Sequence, residues 1–205
     1  MRFLSHLVFA TAALALMPAA IHAQAAPNPA PDAVQAGTYK VETNHTRTQF
    51  TVSHMGFSDW YGDFTGTTGT LSIDPRAITS AKVDVTIPVA GVSTTNTKLD
   101  GELKSADWFD AATYPTIHFV STAVMPTGPR TAQITGNLTF HGVTRPVTLA
   151  ASFNAGGTNP LSKAYTLGFN ATTTLNRTDF GVKTYVPLIG DAVTIRISAA
   201  FEKIG

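Results

Sequence analysis

Hydrophobic and polar residues alternate singly along most of this chain. In the stretch from Gly136 to Leu149, Leu138 and Phe140 alternate with Asn137, Thr139 and His141, and beyond His141-Gly142 the pattern resumes with Val147 and Leu149 around Thr148. A period of two places one set of side chains on an apolar face and the other on a wet face. The break is short and contains glycine, so the stretch predicts a β-hairpin.

The same alternation recurs in chain order. Phe50 and Val52 stand between Gln49, Thr51 and Ser53, and Met55-Gly56-Phe57 ends or bends that strand. Trp60 to Phe64 and Thr67 to Ile73 follow, stopped by the Asp74-Pro75 turn. Val83, Val85 and Ile87 oppose Lys82, Asp84 and Thr86 until Pro88, which lacks the N–H needed to continue a ladder. Thr116 to Val124, Ile134 to Phe140, Val147 to Phe153, the run through Tyr165, Leu167, Phe169 and Ala171, and the run from Val193 to Phe201 complete the set, with a loop at Gly156-Gly157-Thr158-Asn159-Pro160.

One segment changes period. Between Ser93 and Lys104, Leu99 and Leu103 lie four apart, which predicts a short helix capped by Thr94 or Thr95. Ser105 to Asp110 extends it by a second, Ser105-capped turn that carries Trp108 and Phe109. Eight or so strands with one apolar face each must pack as two sheets or close on themselves. Closure removes the edges, so an all-β, antiparallel, eight-stranded barrel with one short helical insert is favoured over a two-sheet sandwich.

The N-terminus changes the picture of the whole. Arg2, the apolar run Leu4 to Leu16 and the small residues Ala19, Ala20, Ala23 and Ala25 form a secretory signal peptide over residues 1–25, which implies periplasmic export. Residues 26–36, with Pro27, Pro29 and Pro31, are expected as a disordered linker, and residues 37–205 as the domain. Arg2 is the only charge in the signal, so 13 basic and 13 acidic residues remain after it. With no Lys/Arg cluster, the chain lacks the electrostatic footprint of a nucleic-acid or anionic-membrane partner, and an uncharged or weakly charged partner is expected.

Catalytic signatures are sparse. There is no cysteine, hence no thiol nucleophile or thiolate metal site. His45, His54, His118 and His141 show no paired ligand spacing, and no Gly-x-Ser-x-Gly elbow occurs. Asp107 and Asp110 suit turn capping better than acid/base work. The expectation is therefore a non-enzyme without metal or cofactor.

The positive signal is the repeated aromatic and β-branched face, including Phe50, Phe64, Phe119, Phe140, Phe153, Phe169 and Phe201. These residues fill a core, or line a barrel that suits a long neutral hydrocarbon chain.

Several segments resemble the YceI-like family, in order and over about Thr38 to Lys203. They are Asn44-His45-Thr46, Phe50-Thr51-Val52-Ser53-His54-Met55-Gly56, Gly62-Asp63-Phe64, Leu103 to Asp110, Tyr114-Pro115-Thr116-Ile117, Gly136 to Val147, Asn176 to Gly181, and Gly190-Asp191-Ala192-Val193. Glu102 stands where the family carries His, so no role passes to it. The resemblance implies an exported, lipocalin-like barrel that holds a polyisoprenoid or similar lipid. It implies inward residues Phe50, Val52, Val85, Ile87, Phe119, Leu138, Phe140, Leu149, Phe169 and Ile195, with Trp108, Phe109 and the Phe180-Gly181 loop covering one end. Phe180 and Tyr185 serve as pocket cover or satellite core, and Asn176 and Arg177 hold a head group or tie down a turn. The expected partner is an apolar lipid, with a transient membrane-protein partner and a homodimer as further partners. A filled barrel that docks a membrane redox protein is the competing function.

Overall fold

The computed structural model describes residues 26–204, so the signal peptide expected over 1–25 lies outside the described residues. Eleven antiparallel strands are present: β1 (Gly37–Val41), β2 (Arg47–His54), β3 (Ser58–Phe64), β4 (Thr68–Ile73), β5 (Lys82–Pro88), β6 (Val92–Ser93), β7 (Thr116–Gly128), β8 (Thr131–Phe140), β9 (Val143–Thr158), β10 (Tyr165–Asn176) and β11 (Ile189–Ile204). They build an eight-stranded barrel because the first six are halves of three bent strands. β11 pairs with β1 through Phe201 to Ile204 and with β2 through Ile189 to Ser198. β4 continues the line of β3 beside β1 and β2, and β5 and β6 continue each other beside β4 and β3. The β1–β11 pairing closes the ring and leaves an up-and-down meander.

The hairpin from Gly136 to Leu149 forms as the pattern predicts. Phe140 pairs with Val143 across a two-residue turn, and His141 and Gly142 hold φ of 49° and 73°. Positive φ at both central residues is the twist that suits a tight hairpin.

Four expectations are corrected. α1 spans Thr97–Leu103, and its cap is Asn96, whose Oδ1 accepts from the Lys98 and Leu99 N–H groups. Thr94 is drawn away because its N–H and hydroxyl both donate to Asp100, at 2.6 and 2.7 Å. Ser105 to Asp110 is a set of turns rather than a second helical turn: the Trp108 and Asp110 N–H groups both converge on the Ser105 carbonyl. Gly156 to Thr158 belong to β9, not a loop, because Leu167 and Tyr165 of β10 pair across them.

The linker expected to be disordered over 26–36 is a strap across one end of the barrel. Asn28 exchanges two backbone hydrogen bonds with Gly156, at 2.8 and 2.9 Å. Residues Pro31–Ala33 form a 3-10 turn, and the Tyr39 and Tyr165 hydroxyls donate to the Gln35 and Ala33 carbonyls. Val34 is buried against Tyr39, Leu71 and Phe201. A lone Val among prolines carries no period, so this order comes from tertiary contacts that local pattern does not encode.

The barrel thus has a strap end, with the β4–β5, β7–β8 and β9–β10 connections, and a helix end, with the β2–β3, β8–β9 and β10–β11 connections and the insert of α1. The insert fills the gap beside Pro88, where pairing between β5 and β7 stops. Each end has its own apolar cluster. At the helix end the rings of Phe50, Phe64, Phe109, Phe140 and Phe180 follow one another at 5.4–5.9 Å. At the strap end Tyr39, Phe153, Leu167 and Phe201 pack together.

Candidate functional site

Between the two clusters lies a cavity of about 730 Å³. That is within the ~300–1,000 Å³ range of small-molecule sites. Every residue singled out for the pocket sits on its wall: Phe50 and Val52 from β2, Val85 and Ile87 from β5, Phe119 from β7, Leu138 and Phe140 from β8, Leu149 from β9, Phe169 from β10, and Ile195 from β11. Trp108 and Phe109 close the wall from the insert after α1. Val85, Ile87, Leu138, Leu149, Phe169 and Ile195 are only half-buried although they point inward, because the surface they retain faces the cavity.

Two glycines keep this lumen open. A Cβ on Gly62 would lie 2.2 Å from Phe50 Cζ, and one on Gly136 would lie 2.4 Å from Phe119 Cζ. Each phenyl ring therefore folds onto the bare backbone of the neighbouring strand instead of reaching across the barrel.

Thr46, Thr48, Leu71 and Ile197, which residue type and period did not mark for the pocket, face the same space, as do Val83 and Phe201 of the alternating apolar set. Thr46 is held in place by a two-way exchange with Ala200, and the buried hydroxyl of Thr67, also on the wall, has no hydrogen-bond partner.

Among the described residues, charged groups reach the cavity only near its ends, Asp32 and Arg130 at the strap end and Glu102 and Arg177 at the helix end. Arg177 ties down the connection between β10 and β11. It donates to the carbonyls of Gly190, Val182, Thr184 and Ile189 at 2.9–3.0 Å, and Trp108 stacks on its guanidinium at 5.4 Å. Burial lowers its pKa, against a weaker opposite pull from Asp191. Asp191 in turn accepts from the Thr178 N–H and hydroxyl. Thr184 donates its hydroxyl to the Asp107 carbonyl, which joins this connection to the insert. Phe180 is core, packed on Phe140, whereas Tyr185 is 60% exposed at the cavity mouth, edge-on to Trp108.

The histidines are dispersed. His45 pairs with Glu42 at 2.6 Å, His118 with Asp84 at 2.8 Å, and His141 meets the Phe180 carbonyl at 3.1 Å. Asp100 is held below the usual carboxylate range by the hydrogen bonds from Thr94, so it acts as an anchor between β6 and α1.

A closed, eight-stranded meander around one apolar cavity defines a lipocalin-like barrel. The chain belongs to the YceI-like family, whose YceI-like domain matches residues 39–201. It is 39% identical over 163 residues to a UPF0312 protein of Pseudomonas savastanoi pv. phaseolicola, covering 80% of this chain and 83% of that one. A UPF0312 protein of Pseudomonas putida is 41% identical over 150 residues, 72% of this chain and 78% of the relative. Among solved structures it is similar to BcnA of Burkholderia cenocepacia, with TM-score 0.71 and 25% identity over 78% of this chain and 98% of that one. It also shares its fold with a domain from Saccharophagus degradans described as a polyisoprenoid binding domain, with TM-score 0.64 and 13% identity over 83% of this chain and 100% of that one.

Proposed function

We propose that this protein is an exported, non-enzymatic carrier or buffer that holds a long apolar lipid, an isoprenoid quinone, a polyprenyl or a fatty-acyl chain, inside the barrel. The observation that carries the reading is the 730 Å³ cavity walled by aliphatic and aromatic side chains from ten of the eleven strands and the insert. A run of ~10 methylenes moved from water into such a wall gains ~8 kcal/mol gross, enough to offset the cost of association and leave micromolar binding or better. Family membership and the polyisoprenoid binding description of the Saccharophagus degradans domain support the same ligand class. The open lumen favours a carrier over a filled barrel that serves only to dock a redox partner.

A neutral head group fits best. Arg177 is saturated by four carbonyls, and the remaining charges lie near the ends, so the middle of the lumen offers no countercharge. Binding of isoprenoids of graded length, delivered in detergent micelles and read by native mass spectrometry, tests this. Affinity should rise with chain length and be insensitive to salt; uptake of none of them, nor of fatty acids in the same assay, would remove the reading.

A further inference from the structure

The cavity mouth at the helix end is rimmed by exposed apolar side chains on two loops. Met55-Gly56-Phe57 is the tip of the β2–β3 hairpin, where Met55 and Gly56 hold φ of 55° and 72° and Phe57 is 89% exposed. The loop of residues 183–188 brings Tyr185 and Leu188, both exposed. The loops are joined where the Met55 N–H donates to the Leu188 carbonyl at 2.8 Å. Met55, Trp60 and Tyr185 also line the cavity, so the exposed strip runs without interruption into the lumen. Residues 54–58 and 183–188 include one lysine, Lys183, and no carboxylate. Leu161, equally exposed at 89%, lies at the strap end beside Ser162 and Lys163 and does not line the cavity.

We propose that this rim docks the barrel on a phospholipid bilayer, with Phe57 and Leu188 entering the boundary between head groups and acyl chains. The inference rests on the cavity holding a lipid. A long apolar chain that leaves a bilayer through water exposes its whole surface, whereas a mouth pressed into the bilayer lets it slide from one apolar phase to another. Trp60 and Tyr185 have the amphipathic rings that favour the interfacial layer. Lys183 on the second loop supplies a cation for a lipid phosphate. A second copy of the chain seated on the same rim would cap the lumen and block that transfer.

The test is co-sedimentation with vesicles of phosphatidylethanolamine and phosphatidylglycerol. It compares the unaltered protein, the double variant Phe57→Ser with Leu188→Ser, and Leu161→Ser. Unchanged urea unfolding of all three checks that the exposed substitutions leave the fold intact. The double variant should lose vesicle partitioning by on the order of ten-fold or more, and Leu161→Ser should lose none. Uptake of an isoprenoid from micelles should be the same in all three, because no substitution touches the wall. Equal partitioning of the three, or no vesicle binding by the unaltered protein, overturns the docking surface. So does self-association that depends on Phe57 and Leu188 without vesicle binding. Rim-dependent vesicle binding with no micelle uptake would instead overturn the lipid reading of the cavity and leave the docking surface standing.

Discussion

Arg177 carries its charge into the wall of an apolar cavity and forms no ion pair there among the described residues. Four carbonyls replace its water, two in the segment that links β10 to β11 and two at the start of β11, so the side chain acts as the hub of that connection. Arg177→Met leaves those carbonyls without their donor, and it should cost about 3–5 kcal/mol in urea unfolding. Arg177→Lys should recover only part of it, because an ammonium cannot reproduce the planar fork. A loss below about 1 kcal/mol for the methionine variant would show that the hub is dispensable. Tyr39 gives a pH-dependent counterpart at the strap end. Burial, and then the neighbouring Tyr165, raise its phenol from the ordinary 10.0 to about 12. The folded state therefore keeps the proton while the unfolded state gives it up. This contribution is fully present below pH 10.0 and is lost as pH rises toward about 12. Tyr39→Phe should flatten the alkaline part of a stability-versus-pH curve in that window, and an identical slope in both proteins would contradict the assignment. The residue-type pattern identified the inward phenylalanines, but it left Arg177 between two roles. Only the position of the four carbonyls in space decides that it holds the connection.

At the scale of elements, the strands were legible because their period is local. The tight turn at His141-Gly142, the stop at Pro88 and the pairing of Leu99 with Leu103 on one helix face all follow from residue type and spacing. What the sequence did not reveal depends on partners far along the chain. Asn28 finds Gly156, Thr94 is captured by Asp100, and β9 runs on through Gly156 because β10 lies beside it. The glycines at 62 and 136 belong to the same class: in space each is a seat for a phenyl ring from the next strand. Gly136→Ala should destabilise the barrel by about 1–3 kcal/mol, since the new methyl would meet both Phe119 Cζ at 2.4 Å and the Val120 carbonyl oxygen at 2.5 Å. Thermal unfolding that matches the unaltered protein would mean that the strands spread without cost. Gly62→Ala meets only the ring of Phe50 among its three nearest contacts, so its larger effect should fall on the cavity. It pushes that ring into the lumen, and lipid uptake should drop more than stability does.

For the whole molecule, closure of eight strands with two separate apolar clusters explains why the interior is not filled. The insert and the β10–β11 connection pack the helix end, the strap and its tyrosines pack the other, and along the length between them the rings of Phe50 and Phe119 lie over glycines of the neighbouring strands rather than across the lumen. Barrel closure was readable from strand count and edge avoidance. The volume was not, because it depends on which way each ring turns. A carrier must hold a lipid in this volume, and the mass and stoichiometry of what accompanies the protein report on that most directly. Native mass spectrometry on protein purified from its own host should show an apolar lipid at about one per chain. That lipid should be absent from a folded variant whose lumen is filled by Leu138→Phe with Ile195→Phe. Repeated recovery of the unaltered protein without lipid, together with no uptake of isoprenoid or fatty-acyl chains added in vitro, would contradict the carrier reading.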